Sequence, residues 1–185
     1  MNAAVQGKKS IAKLFGLLTI IAGVIFVVAG GVTWGAVASN LKAEQIYVSD
    51  DADAFAGQLV DTPWEAFSQA AIINHHAMTA TGDRTYAELG AEISTLKDQL
   101  TADGASDDEI AENSDVVELT GLRTTVMTAS FLRASLFTSV VAFGVAFLVV
   151  GLGVVFLIVG WALRSLGISV EGEKAPVAEP VAASV

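Results

Sequence analysis

The chain contains no cysteine among its 185 residues. That absence excludes disulfide bonds, cysteine-ligated zinc, iron–sulfur clusters and thiol nucleophiles, and it leaves the redox compartment undetermined. The sequence also lacks G-x-S-x-G, the P-loop motif and G-x-G-x-x-G, so it gives no sign of a serine hydrolase or of a nucleotide-binding site.

Charged residues are missing from two long stretches, positions 14–41 and 134–163. A bilayer core needs about 20 apolar residues of helix, so each stretch is long enough to cross it. The whole chain is 53% hydrophobic, whereas soluble domains contain about 45–50% apolar residues. The sequence therefore predicts two transmembrane helices.

Basic residues are scarce between these stretches. This segment has 5 basic and 17 acidic residues, which give it a net charge of −12. A domain with this field repels nucleic acid and anionic lipid head groups. We therefore expect no nucleic-acid partner.

The basic residues before the first stretch determine the predicted orientation. Lys8, Lys9 and Lys13 place the N-terminus in the cytoplasm by the positive-inside rule. Two crossings of the plasma membrane return the C-terminus to the cytoplasm, with Trp34 near the outer end of the first span and Trp161 and Arg164 at the inner interface. An alternative is a signal peptide cleaved after Ala38, although its apolar region exceeds the usual length of about 7–15 residues.

The predicted fold is an all-α membrane protein in which two transmembrane helices form a hairpin around a small helical extracytoplasmic domain. Its expected parts are a cytoplasmic basic N-terminus (1–13), a first span (14–37), an acidic and mainly helical extracytoplasmic domain (38–133), a second span (134–163) and a disordered cytoplasmic tail (164–185).

Glycines recur every seven residues in both spans, which keeps small residues on one stripe of a left-handed helix pair. Such a stripe faces either the other span or another subunit, and the alternative is that glycine is simply common in membrane helices. The predicted packing positions are Gly16, Gly23 and Gly30 in the first span and Gly144 and Gly151 in the second, where Gly153 and Gly160 have the same spacing. Neither span contains an ionisable residue, which argues against an ion path or a proton relay.

Capping signals predict helices in the middle domain. Thr62-Pro63-Trp64-Glu65 begins a helix that ends near Ala80, with Trp64 and Phe67 on its apolar face. Thr85 caps a second helix from Tyr86 to about Leu100. A short helix is expected near Ile110, and a last helix begins near Thr120 and continues into the second span.

His75 and His76 are the only histidines and are weak candidates for metal ligands. Consecutive residues on a helix point about 100° apart, so the two imidazoles are not arranged to chelate one ion. A site would need carboxylates from elsewhere, such as Asp83, Glu88 or Glu92. The acidic runs at 50–53 and 107–109 lack the ligand ladder of a calcium loop. We therefore expect no catalytic residue, no cofactor and no metal.

Four segments are distinctive as sequence: Gly30-Gly31-Val32-Thr33-Trp34-Gly35, Ile73-Asn74-His75-His76-Ala77, Thr85-Tyr86-Ala87-Glu88-Leu89 and residues 123–146. They resemble an actinobacterial family of small two-span membrane proteins, whose members often carry the label aromatic ring-opening dioxygenase, after the small subunit of an extradiol dioxygenase. The resemblance implies the two-span architecture, and the label implies an iron-dependent enzyme.

Three functional hypotheses follow. The first is a non-catalytic membrane protein whose extracytoplasmic domain docks on another membrane protein or on a second copy, such as an accessory subunit of an envelope or respiratory complex. The second is a ring-opening extradiol dioxygenase. The third is a surface sensor of pH or cations, which would change structure between about pH 5 and 7.

Overall fold

The computed structural model describes the backbone of residues 2–169 and the side chains of residues 11–165. The predicted anchors Lys8 and Lys9 and the predicted tail beyond residue 169 lie outside the described side chains. The all-α prediction is confirmed within these residues, where one isolated bridge between Tyr47 and Leu59 accompanies the helices. The helices are α1 (Asn2–Ala43), α2 (Pro63–Thr81), α3 (Tyr86–Ala102), α4 (Asp107–Glu112) and α5 (Ser114–Ser169).

Helices α1 and α5 are both long and apolar enough to cross a membrane. Helix α5 begins at Ser114, earlier than the expected start near Thr120. The reason is a side-chain cap. Asn113 Oδ1 accepts hydrogen bonds from the backbone N–H groups of Asp115 and Val116, at 3.0 and 3.2 Å, and asparagine is among the best residues at this position.

The chain divides into two compact units, of which the first comprises residues 1–32 and 145–185. In its described part, glycines of α1 lie against the backbone of α5. A Cβ atom added to Gly16 would lie 2.8 Å from the carbonyl oxygen of Gly160, and one added to Gly23 would lie 2.8 Å from that of Gly153. The rings of Phe26 and Phe156 lie 5.4 Å apart in the same contact.

Gly144 and Gly151 do not lie against α1, because a Cβ atom at either position would meet no described atom within 4 Å. The small residues of α5 that contact α1 are Ala146, Gly153 and Gly160, and the carbonyl oxygen of Ala146 lies 2.8 Å from a Cβ atom added to Gly30. Residues two positions apart on a helix point about 200° apart, so the stripe through Gly144 and Gly151 lies on the other side of α5.

The second unit comprises residues 33–144 and therefore includes the ends of both predicted spans. The connection between α1 and α2 is held by backbone hydrogen bonds, including 2.9 Å from Val60 N–H to the carbonyl of Ile46 and 2.9 Å from Gly57 N–H to that of Val48. Val48 and Val60 are almost fully buried. The core of this unit consists of Leu41, Val48, Val60, Ala66, Ala70, Leu136 and Phe143.

Helix α2 begins and ends as the capping signals predict, with Gly82 in the left-handed conformation (φ 61°) after its last turn. Its burial pattern differs from the expectation. The face that packs inward consists of small or polar side chains such as Ala66, Gln69 and Ala70, whereas Trp64 and Phe67 are 66% and 57% exposed. The side chains on the inward face are small because α2 lies close to its neighbours. The large rings of Trp64 and Phe67 are on the exposed side.

Helices α3 and α4 also start at capping boxes. Thr85 and Ser106 each accept a hydrogen bond from a backbone N–H three residues ahead, and the carboxylates of Glu88 and Glu109 each accept one from the backbone N–H of the cap residue. These bonds satisfy helix N–H groups that would otherwise lack partners. Leu89 anchors α3, since its side chain has no exposed surface.

Candidate functional site

The two histidines of α2 are held apart. Their ring centroids are 6.2 Å from each other, as expected for consecutive helical residues. His76 Nε2 lies 2.7 Å from Oδ2 of Asp51, in the connection between α1 and α2. This bond lowers the pKa of the Asp51 carboxyl below its ordinary value, chiefly because the imidazole donates to the charged form.

His75 faces a different surface, an open cleft of about 480 Å³. The cleft lies between the 51–55 segment and the outward side of α2, and apolar atoms dominate its walls. Its lining includes Asp51, Asp53, Phe55, Trp64, Phe67 and His75. Histidine and carboxylate side chains therefore share a wall with three exposed aromatic rings.

An iron site of two histidines and one carboxylate does not fit the residues present. Among the described residues, no three His, Asp or Glu side chains are close enough together to hold a metal ion. Two of the three carboxylates named for such a site have other partners. Glu88 Oε2 accepts from the Thr85 hydroxyl at 2.7 Å, and Glu92 pairs with Arg84 at 2.9 Å.

The acidic run at 107–109 forms a helix start. The backbone N–H of Ser106 donates to Glu109 at 2.8 Å, and its hydroxyl donates to the same carboxylate oxygen, also at 2.8 Å. These two bonds lower the pKa of the Glu109 carboxyl. The pKa of Glu88 is lowered in the same way by the backbone and hydroxyl of Thr85.

Helix α5 presents an exposed surface, which we call the α5 outer face and define as Thr124, Met127, Thr128, Phe131 and Leu132. Phe131 and Leu132 are 67% and 51% exposed. The threonine hydroxyls turn inward: Thr124 donates to the carbonyl of Thr120 at 2.9 Å, and Thr128 donates to that of Thr124 at 3.0 Å. The face consequently offers methyl groups and apolar rings rather than free hydroxyl donors.

A shallow groove runs beside this face, between α5 and α2. Alanine and threonine side chains form most of its walls, which leaves room for another backbone to approach. The lining residues are Ile73, His76, Ala77, Ala80, Thr124, Thr125, Thr128, Ala129 and Leu132.

Two arginines of α5 lie over aromatic rings, an arrangement that the sequence did not reveal. The guanidinium carbon of Arg123 is 4.0 Å from the centroid of the Tyr86 ring, and that of Arg133 is 5.9 Å from the Phe137 ring. Gly90 leaves space for Arg123, because a Cβ atom there would lie 3.2 Å from its Nε. The first contact joins two residues that are far apart in the sequence. The second joins two residues one turn apart on α5.

The remaining predicted anchors lie in different environments. The Trp34 ring is half-buried and lies 4.6 Å from the ring of Phe143. Trp161 is 69% exposed, and Arg164 is also exposed.

Comparison with protein-family models, curated proteins and solved structures finds no match to this chain. The functional argument therefore rests on the cleft beside His75, the α5 outer face and the two apolar helices.

Proposed function

We propose that this chain is a non-catalytic plasma-membrane protein with two spans and an extracytoplasmic domain that docks on another membrane protein. The two helices that are long and apolar enough to cross a membrane, α1 and α5, support the membrane part. The lysines at 8, 9 and 13 support cytoplasmic termini, because basic residues flank the inner side of a span. The kinship with small two-span actinobacterial proteins is part of the same proposal.

The hairpin arrangement of the spans is supported by the glycine contacts. Gly16 meets Gly160 and Gly23 meets Gly153, so residue numbers rise along one helix as they fall along the other. Lipid offers no hydrophobic drive for helix association, and close backbone approach through small residues supplies van der Waals contact instead.

The α5 outer face carries the docking proposal. It combines the protruding Phe131 and Leu132 with a groove of small residues, and its threonine hydroxyls are already bonded within the helix. Such a surface is complementary to an apolar helix that brings its own small residues into the groove. The surrounding domain has a charge of −12, whereas this face is uncharged, and charge is typically depleted at the centre of protein interfaces.

We expect the partner to be a helix of another membrane protein, such as a subunit of an envelope or respiratory complex. A photo-reactive phenylalanine analogue at position 131 should crosslink in native membranes to one defined polypeptide, identified by mass spectrometry. The same analogue at Val117, which is 56% exposed on the same helix, is the control and should not crosslink to it.

Co-purification provides the second half of the test. The crosslinked polypeptide should accompany the wild-type protein in mild detergent and be lost from the Phe131→Ala variant. A crosslink between two copies of this chain would identify the partner as itself. Emergence of the wild-type protein alone and monomeric would refute the docking function.

A second candidate, a surface pH sensor, is favoured by the contact between His76 and Asp51, which joins the connection before α2 to α2 itself. The imidazole is half-exposed. Backbone amide shifts of the 46–60 segment should then change between about pH 5 and 7, and the change should disappear in His76→Gln. Shifts that stay constant over this range would exclude the sensor.

A further inference from the structure

Three aromatic rings on the outward side of the second unit share one exposed surface. Phe55, Trp64 and Phe67, which we call the aromatic face, are 39%, 66% and 57% exposed, and all three line the cleft beside His75. Single exposed apolar residues are ordinary, whereas a contiguous patch indicates an interaction surface.

We propose that the aromatic face inserts into the head-group region of the outer membrane leaflet and seats the extracytoplasmic domain on the bilayer. This inference rests on the two-span topology and is independent of the docking partner. Aromatic side chains are enriched at the membrane–water interface, where an apolar ring is sheltered while polar neighbours stay hydrated.

The direction of α2 provides the first argument. Phe67 meets Phe137 of α5 with ring centroids 5.8 Å apart. Farther along α2, Ala80 shares a groove with Thr124 of α5. Helix α2 therefore runs antiparallel to this part of α5, and its N-terminus points towards the charge-free stretch of α5.

The level of the rings provides the second argument. The charge-free stretch of α5 begins at position 134, so Phe137 lies in its first turn, at the outer end of the predicted second span. Trp64, three residues before Phe67, lies about 5 Å farther along α2 in the same direction. Phe67 and Trp64 consequently lie at the level of the outer end of that span, where head groups meet the hydrocarbon core.

Polar groups at this end of α2 are satisfied, as a site of low polarity requires. Thr62 and Glu65 form a capping box, Pro63 removes one N–H group, and Glu65 is buried. Lys42 Nζ lies 2.9 Å from Asp61 Oδ2, which pairs the charges closest to the helix start.

The carboxylates in the cleft restrict which lipids suit this surface. Asp51 and Asp53 line the same cavity as the rings and would repel anionic head groups. We therefore assign the aromatic face to zwitterionic lipid.

Tryptophan quenching tests the proposal in the full chain reconstituted into phosphatidylcholine nanodiscs whose acyl chains are brominated near the ester end. The chain has three tryptophans, so Trp34→Phe with Trp161→Phe leaves Trp64 as the sole reporter. We expect the emission of Trp64 to be quenched several-fold more strongly than that of a matched reporter. That reporter is Phe131→Trp in a chain whose native tryptophans are all phenylalanine.

Position 131 suits the comparison because Phe131 is as exposed as Trp64 but lies about 9 Å farther from the membrane than Phe137 along α5. A chain that retains only Trp161 confirms insertion into the disc. Unquenched Trp64 alongside quenched Trp161 would overturn the proposal, since a protein partner or solvent would then cover the face. Equal quenching at positions 64 and 131 would overturn it as well.

A second measurement leaves every tryptophan in place. The chain has no cysteine, so Phe67→Cys and Phe131→Cys can each carry a single spin label. Oxygen should relax the label at 67 more effectively than a water-soluble nickel complex does, and the order should reverse at 131. The same order at both positions would contradict the proposed seating.

Discussion

The imidazole of His76 and the carboxylate of Asp51 are joined by a 2.7 Å contact across 25 residues of sequence. One group lies in the middle of a regular helix and the other in an irregular connection. The contact fixes that connection to α2 from its solvent side, while Val48 and Val60 fix it from its buried side.

This contact predicts how the stability of the protein depends on pH in the acidic range. Because the bond from His76 lowers the Asp51 pKa below 3.8, the folded protein releases this proton at lower pH than the unfolded chain does. The ionised Asp51 therefore stabilises the folded protein in full when the pH is above the ordinary aspartate pKa. This stabilisation is lost as the pH falls through the lower pKa of the folded state. In His76→Ala the pKa of Asp51, measured by carbon NMR of the carboxyl group, should rise towards 3.8.

Glu109 is the internal control for this titration. Its pKa is lowered by Ser106 rather than by a histidine, so it should be unchanged in His76→Ala. An Asp51 pKa that is identical in the wild type and the variant would contradict the assigned cause.

Iron binding separates the docking hypothesis from the dioxygenase hypothesis. No three candidate ligands converge within the described residues, so purified protein incubated with ferrous iron should retain none after desalting. The variant that combines His75→Ala with His76→Ala should behave identically. One equivalent of iron in the wild type, lost in the variant, would contradict this prediction and restore the enzyme hypothesis.

Local signals in the sequence were sufficient for most helix boundaries. Thr62, Thr85 and Gly82 mark helix ends because a cap depends on residues within one turn of each other. The sequence does not predict the early start of α5, although Asn113 is a good capping residue. The residues that follow it show no clear helical period of apolar side chains.

The sequence alone does not predict which residues of the helices pack against each other. The spacing of seven predicts a stripe of small residues, but α5 contains two such glycine series, Gly144–Gly151 and Gly153–Gly160, and spacing alone does not choose between them. Treating Ala146 as a small residue extends the second series to three members, a signal that could have favoured it. On α2, large side chains suggested an inward face, whereas close packing favours Ala66 and Ala70 there.

Leu89 should be the most sensitive position of α3. Its side chain is fully buried, and truncation of a buried leucine removes its contacts and leaves a cavity. We expect Leu89→Ala to lower the free energy of unfolding by about 2–5 kcal/mol, measured by denaturant titration of helical circular dichroism in detergent. Val117→Ala, at a site 56% exposed, should change it little; equal losses would refute the assigned burial.

The two glycine series of α5 give a matched pair of variants in the predicted second span. A side chain at Gly153 would begin with a Cβ atom 2.8 Å from the carbonyl oxygen of Gly23, so Gly153→Leu must push α1 away. Overpacking of this kind costs about 1–3 kcal/mol, and we expect a clearly lower midpoint of thermal unfolding in detergent.

Gly151→Leu adds the same side chain two residues away, where nothing lies within 4 Å. Both variants have the same composition, the same hydropathy and the same gain in helix propensity, so their difference isolates the contact with α1. Gly151→Leu should match or slightly exceed the wild type, because leucine favours a helix more than glycine does. If Gly151→Leu were the more damaging of the two, the stripe through Gly144 and Gly151 would be the packed one and the pairing of Gly23 with Gly153 would be wrong.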